Sequence, residues 1–468
     1  MRWAEPLYMT VDNVLLVTID SLRPDHLSAQ GYDRATSPTM DRLGDSGVRF
    51  TQAIANGPST RSSFPSILTS TYPLMYGGYT YLSDERPFIA QTMSEAGYET
   101  AAFHSNPHVG APQNYDTGFD SFNDTAEGSD DLATVKDRVE RLLDPESALY
   151  RLLRRAYHVF SMTTDAEAYA RAPTINENAL DWLEHDRDPD SPFFLWIHYM
   201  DVHYPFQPPD SYMQELGLDP LSKRRVADLN GRMQEDPDSL DEDDREDLVQ
   251  LYDAEIRYTD DHLDDLLHRL DELGVRDDTA VMVCADHGEA FGEHGRYGHH
   301  PYLYDELVKV PLIVDTPGVT ADPCDTQIEL LDIGPTIYDL TGVETPDSVQ
   351  GTSVLDAIDG ERDEIAITAA SGENVVAENV DEWKFFACRT PEWKCFWRVA
   401  DGEVELYDLI DDSAESQDRS QQEPDTVDRL RSHIEDHLDE ARATELSLPD
   451  IEHSGEVKQR LRDLGYKQ

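Results

Sequence analysis

The sequence predicts an α/β fold: a wound, mostly parallel sheet flanked by helices, with a small antiparallel-sheet subdomain toward the carboxyl end. Two observations predict it. Four short apolar runs are each followed by a polar, chemically capable residue: NVLLVTI (13–19) by Asp20, GYETAAFHS (97–105) by Asn106, FFLWIHY (193–199) by Asp201 and His203, and TAVMVCA (279–285) by Asp286 and His287. Continuous apolar runs of strand length, separated by helical patterns, mark parallel strands covered on both faces. From about residue 360 the pattern changes to EIAIT, EWKFFAC, KCFWRV and VELYDL, with turns at Thr390-Pro391 and Asp401-Gly402. That is the signature of short antiparallel strands.

The helices between the runs follow in order. Ser37-Pro38 reads as an N-cap and first helical residue leading into Met40 and Leu43. A short apolar helix over Phe64–Leu68 lies inside the Ser/Thr-rich stretch GPSTRSSFPSILTSTYP (57–73). Tyr252, Ile256, Leu263, Leu266, Leu267 and Leu270 share one face of a helix that Gly274 ends, feeding the run at 279–285. Asp332 to Leu340 predicts another helix, with Pro335 early in it, and Asp425 to Ala441 a last one. Residues 125–180 and 208–248 read as polar, partly helical excursions, with DPDSLDEDDRED (236–247) as a solvated face. The division expected is a main domain over 1–358, a small α+β subdomain over 359–445 and a polar tail over 446–468.

Composition limits the function. The 468 residues carry 38 Lys+Arg against 96 Asp+Glu, a net charge of -58. Such a surface repels nucleic-acid phosphates and anionic lipid, so neither is expected as a partner. Hydrophobic residues, at 39%, suffice for a sizeable core. Only 7 of the bases are Lys and 31 are Arg. An acidic surface of this density repels itself in dilute buffer, and molar salt shortens the Debye length to about 3 Å. The chain therefore reads as halophilic. No apolar run reaches about 20 residues, so no membrane insertion is expected. The opening MRWAEPLYMTVDNVLLVTID lacks the layout of a secretion signal, and the four cysteines show no CxxC pairing. Cytoplasmic location is the expectation.

Chemistry concentrates after the strands, where open α/β sheets bind ligands. Asp286-His287, in CADHGEAFGEHG, offers a carboxylate and an imidazole on one turn, and Asp20 supplies a candidate third ligand. That donor set suits zinc or manganese, or calcium and magnesium when further oxygens join. Asp also caps helices, so the dipeptide alone does not decide. Thr60 stands just before a short helix, where N–H groups and the dipole favour an anion; the plain alternative is an N-cap. His203, His299, His300, His104 and Asn106 gather near other predicted strand ends.

Taken together and in order, the segments resemble the sulfatase family of the alkaline phosphatase superfamily. The pieces are NVLLVTIDSLRPDHLSAQGY, STRSSFPSILTSTYP, FFLWIHYMDVHYPFQPP, LYDAEIRYTDDHLDDLLHRLDELG, ADHGEAFGEHG, GHHPYLYDELVKVPLIV, and late on EWK with ELYDL, spanning about residues 12–415. The resemblance implies an alkaline-phosphatase-like fold and a divalent metal held by Asp20, Asp286 and His287. It implies a nucleophile nine residues before the Thr of the triplet Leu68-Thr69-Ser70, which is Thr60. His203 and His299 match its substrate-contacting or leaving-group histidines. Asn106 matches a substrate-binding position, and Arg61 is a candidate clamp for ester oxygens. Ser21 stands where many members carry a second Asp.

The chain departs from the family at the nucleophile. Formylglycine formation needs Cys or Ser in a C/S-x-P-x-R context, and this chain reads Thr60-Arg61-Ser62-Ser63-Phe64. A secondary alcohol yields no aldehyde, so no formylglycine is expected. The chain thus resembles a haloarchaeal-type member with threonine as nucleophile, acting on small-molecule or glycan sulfate or phosphate esters. Transfer of a phospho group to a glycan or lipid head group, a phosphodiesterase with a second metal on Asp201, His203 and His299, and a non-catalytic relative are the alternatives.

Overall fold

The four apolar runs lie side by side at the centre of one sheet. In the computed structural model, which describes residues 10–124, 169–299, 301–358, 360, 365–370, 383–399 and 401–446, the strands are β1 (Asn13–Ile19), β2 (Val48–Ile54), β3 (Glu99–His104), β4 (Ser121–Asp124), β5 (Phe193–Tyr199), β6 (Thr279–Ala285), β7 (Ala290–Phe291), β8 (Tyr297–Gly298), β9 (Lys309–Asp315) and β10 (Ile328–Glu329). Eight form the main sheet in the order β10-β2-β9-β6-β1-β5-β3-β4, while β7 and β8 pair as a ribbon. All main-sheet pairings are parallel except those of β9, which runs antiparallel to β2 and β6. Every residue of β1, β5 and β6 is buried, as a strand covered on both faces requires. Ile19 lies opposite both Tyr199 and Ala285, so the carboxyl ends of the three strands align.

β2 and β9 did not stand out as apolar runs. β2 (VRFTQAI) alternates with polar residues, and β9 (KVPLIVD) carries Pro311 in the interior of the sheet. A proline there removes a ladder donor and argues against a central strand on local grounds.

The longer helices are α1 (Pro38–Ser46), α2 (Thr60–Thr69), α3 (Ala172–Asp181), α4 (Lys223–Glu235), α5 (Glu242–Leu273), α6 (Ile333–Thr341) and α7 (Pro424–Ala443). Four differ from expectation for physical reasons. Ser37 occupies the N-cap of α1, but its hydroxyl donates to Asp41, and the Asp260 carboxylate accepts from the Thr39 and Met40 amides at 2.8 and 2.9 Å. α2 begins four residues early and carries Pro65 inside, so Thr60 is on the first turn and not its cap. α5 is longer than its apolar face and starts within the acidic run. Asp241 caps it, and Asp244 is buried against Arg225 and Arg232 at 2.6 Å each, so this part of the run is not solvated. α6 begins at Ile333, after a 3₁₀ turn over Leu330–Asp332.

The carboxyl-terminal sheet has the order β11 (Ala366–Ala370), β12 (Phe385–Arg389), β13 (Trp393–Arg398), β14 (Glu403–Asp408), antiparallel throughout. α7 packs Leu430, Ile434 and Leu438 on Phe386, Cys388 and Leu406. A buried charge cluster ties this sheet to the main one: Lys394 Nζ lies 2.8 Å from Asp305 and 3.0 Å from Glu415, and Arg389 bonds Asp305 and Gln327. Among the described residues no helix is long and apolar enough to cross a membrane. The expectations for 125–168, His300 and the tail beyond 446 fall outside the described residues.

Candidate active site

The aligned strand ends and the first turn of α2 bring one cluster of side chains together. Asp20 follows β1, Asn106 lies two residues beyond β3, His203 follows β5, Asp286 and His287 follow β6, and Thr60 opens α2. All six are at most 1% exposed. The strand ends converge by topology; α2 is brought in by the tight segment before it. A Cβ on Gly57 would sit 2.2 Å from Ser62 Oγ, so only glycine lets the chain turn this closely onto the helix.

Ligand atoms of Asp20, Asp286 and His287 all lie within 4.8 Å of one another. His287 Nε2 is 3.5 Å from Asp20 Oδ1 and 3.6 Å from Asp286 Oδ2. Thr60 Oγ1 is 3.4 Å from Asp20 Oδ2 and 3.4 Å from His287 Nε2. The ring of His287 is oriented by Nδ1, which donates to the Gly288 carbonyl at 2.8 Å and leaves the Nε2 lone pair facing the cluster. Gly288 is obligatory, because a Cβ there would meet the Glu306 carbonyl at 2.0 Å. Ser21, in the left-handed region at φ 60, donates its amide to Asp286 Oδ1 and its hydroxyl to Asp20 Oδ1, which aims both carboxylates inward.

The electrostatics are those of a cation site. Burial, then the charge of Asp20, pushes the Asp286 carboxyl well above the usual range. Asp20 stays low: burial opposes its charge, but His203, His287 and His198 outweigh that. Among the described residues, Asp286 Oδ2 accepts no hydrogen bond. Two buried carboxylates, one with an oxygen that accepts no hydrogen bond among the described residues and an imidazole lone pair beside it, fit a divalent cation.

Two further histidines, His203 and His299, stand beside this set. His203 donates Nδ1 to the Tyr204 carbonyl, and its pKa is lowered, first by burial. His287 is pushed down to about 4 by burial and by His299. His299 goes the other way: burial disfavours its charge, but Glu289, 3.7 Å from Nδ1, raises its pKa. The His299 ring lies 4.8 Å from that of His287 and 5.0 Å from that of His203. Asn106 Nδ2 donates to Asp20 Oδ2 at 3.1 Å, and Arg61 is half-buried on the first turn of α2.

Two outcomes go beyond the sequence reading. Asp201 is committed elsewhere: Arg171 Nε and the Ala172 amide bond its two oxygens at 2.7 and 2.8 Å, and Arg171 also binds Glu255. The second-metal alternative on Asp201 therefore has no carboxylate to use. His198, inside β5, was missed; its Nε2 lies 3.5 Å from Asp20 Oδ2 and its Nδ1 2.9 Å from Thr18 Oγ1. A polar residue in a strand buried on both faces is the signal that pointed to it.

Comparison with known proteins decides the family. Residues 12–343 match the sulfatase family model. The chain belongs to the sulfatase family. It is accordingly a sulfatase-family ester hydrolase, and residues 292–444 match the family described as N-sulphoglucosamine sulphohydrolase, C-terminal. An arylsulfatase of Clostridium perfringens is 25% identical over 457 residues, covering 90% of this chain and 92% of that one. Among solved structures, a protein in complex with its substrate D-glucosamine-2-N,6-O-disulfate superposes with a TM-score of 0.69 at 17% identity, over 94% of this chain and 100% of that one. The phosphonate monoester hydrolase of Agrobacterium radiobacter gives 0.65 at 18%, over 93% and 96%. Members of the sulfatase family generally use a divalent metal, and the Asp20, Asp286, His287 triad is a group that could hold one here.

Proposed function

We propose that this chain hydrolyses phosphate or sulfate esters by way of a covalent intermediate on Thr60, with Asp20, Asp286 and His287 holding a divalent metal. The observation that carries this reading is the Thr60 hydroxyl, 3.4 Å from both Asp20 and His287 on the first turn of a helix. A bound cation offsets charge on the ester oxygens and acidifies a neighbouring hydroxyl. An imidazole among the donors favours zinc or manganese over calcium, which prefers six or more oxygens.

The chain's own groups supply the rest. Thr60 Oγ1 forms the new bond to phosphorus or sulfur, with Asp20 Oδ2 in reach of its proton. The amino end of α2 and Arg61 face the non-bridging oxygens, where charge grows in the transition state. His299, whose pKa is raised, gives the leaving oxygen a proton, and His203, whose pKa is lowered, takes one from the incoming water. Two imidazoles with opposed shifts are suited to acid and base roles.

Threonine sets the substrate preference. It cannot become the aldehyde hydrate through which formylglycine enzymes eliminate sulfate, so water must cleave the intermediate directly. This favours phosphate esters, carried on a small molecule or a glycan, in a salt-rich cytoplasm. The test is an assay of aryl sulfate, phosphate monoester and phosphate diester in molar potassium chloride across manganese, zinc, magnesium and calcium. Phosphate esters should turn over faster, and Thr60→Ala should lose at least about 10³-fold with an unchanged melting temperature. Sulfate preference with activity surviving in Thr60→Ala overturns the reading.

A further inference from the structure

Each of three imidazoles around the reaction centre has its Nδ1 side facing a different group. His287 faces the Gly288 carbonyl at 2.8 Å, His203 the Tyr204 carbonyl, and His299 the Glu289 carboxylate at 3.7 Å. Glu289 stands out in its surroundings. It is 0% exposed, and among the described residues neither carboxylate oxygen has a hydrogen bond. Burying a carboxylate without partners costs several kcal/mol, so such a group persists where it has a task.

The backbone places Glu289 opposite His299. In the ribbon of β7 and β8, Ala290 pairs with Gly298 and Phe291 with Tyr297, so the next antiparallel position sets Glu289 across from His299. Such neighbours bring their Cβ atoms to about 5 Å. The main chain at Glu289 is pinned from outside the ribbon. Arg23 Nη1 donates to the Glu289 carbonyl at 2.9 Å and to Glu293 at 2.8 Å, and the Gly288 amide donates to the Leu307 carbonyl at 2.8 Å.

We propose that Glu289 is a positioning residue: its carboxylate receives the Nδ1–H of the protonated His299, holding the imidazolium ring so that Nε2–H points at the leaving-group oxygen. The inference rests on the hydrolytic reading above, in which His299 is the proton donor. A separation of 3.7 Å exceeds a formed hydrogen bond, and such contacts tighten when substrate fills the site. As Thr60 Oγ1 bonds to the phosphorus and gives its proton to Asp20 Oδ2, the ester P–O bond breaks, its electron pair stays on the leaving oxygen, and that oxygen takes the Nε2 proton. Water then displaces Thr60, its proton passing through His203 back to Nε2 of His299, while the Thr60 oxygen recovers its own proton from Asp20.

Leaving-group dependence separates this role from a structural one. A good leaving group such as 4-nitrophenolate departs without a proton, whereas an alkoxide needs one. Full-length Glu289→Leu, metal-loaded in molar salt, should lose less than about ten-fold in kcat/KM on a 4-nitrophenyl phosphate ester and about 10²-fold on the alkyl ester. Glu289→Gln, which keeps an acceptor oxygen, should recover most of the alkyl activity. A uniform loss across leaving groups, or no loss, overturns the assignment. His299→Ala is measured alongside. If its activity does not depend on the leaving group more steeply than that of the unmodified enzyme, the proton-donor reading itself falls. If it does while Glu289→Leu behaves as unmodified, only the Glu289 inference falls.

Discussion

Asp20 and Asp286 place two fully buried carboxylates beside each other, and burial together with the first charge lifts the second far out of its usual range. Without a cation this arrangement costs stability, because the buried pair repels. Asp286→Asn should therefore raise the stability of metal-stripped protein by about 1–3 kcal/mol while abolishing turnover, read by thermal unfolding in chelator and by assay. Unchanged or lower stability in the stripped variant would count against a shared cation. These residues were legible because each follows an apolar run. Asp201 follows one too, yet it serves Arg171 and the start of α3. Nothing local distinguishes the two cases, since Arg171 lies 30 residues upstream. Glu289 was not legible as a site residue, because its partner His299 arrives from the end of another strand, whereas His198 carried one signal, a polar residue inside an apolar run.

At the scale of elements, α7 is seated by apolar contacts and one buried histidine. His437 is pushed down to about 4 by burial, its ring edge-on to Tyr72 at 4.6 Å, and among the described residues Nε2 has no hydrogen bond. Its folded pKa lies below its unfolded value of 6.5. Its contribution is therefore complete above pH 6.5 and lost as pH falls toward 4, up to about 3 kcal/mol. His437→Leu should flatten that part of the stability–pH profile; a parallel profile would contradict the burial argument. The charge cluster under the carboxyl-terminal sheet makes a second prediction. Lys394 is fully buried between Asp305 and Glu415, so Lys394→Met leaves two carboxylates short of their partner. It should cost about 3–5 kcal/mol in chemical denaturation. Arg442→Ala, at an exposed helix pair with Asp439, should cost under about 0.5 kcal/mol. Helix and strand positions were readable where burial set the pattern, as in β1, β5 and β6. They were not where a long-range partner set it, as when Asp260 caps α1 or Arg225 and Arg232 draw Asp244 into α5.

For the whole molecule, a net charge of -58 sets the conditions under which everything above is observed. Screening between 0.1 M and molar salt shortens the Debye length from about 10 to about 3 Å. Potassium chloride across that range should raise the unfolding temperature by roughly 10 °C or more; a flat response would refute halophilic adaptation. The wound sheet was legible from the central strands alone, whereas antiparallel β9 was hidden by Pro311 and by the polar alternation of its partner β2. The account turns on a bond to the Thr60 oxygen. Rapid acid quench during turnover of an aryl phosphate, followed by mass spectrometry of the peptide carrying Thr60, tests it most directly. One phosphoryl group should be found on Thr60 and be absent in Thr60→Ala. Steady turnover with that peptide unmodified, or the group on another residue, would contradict it.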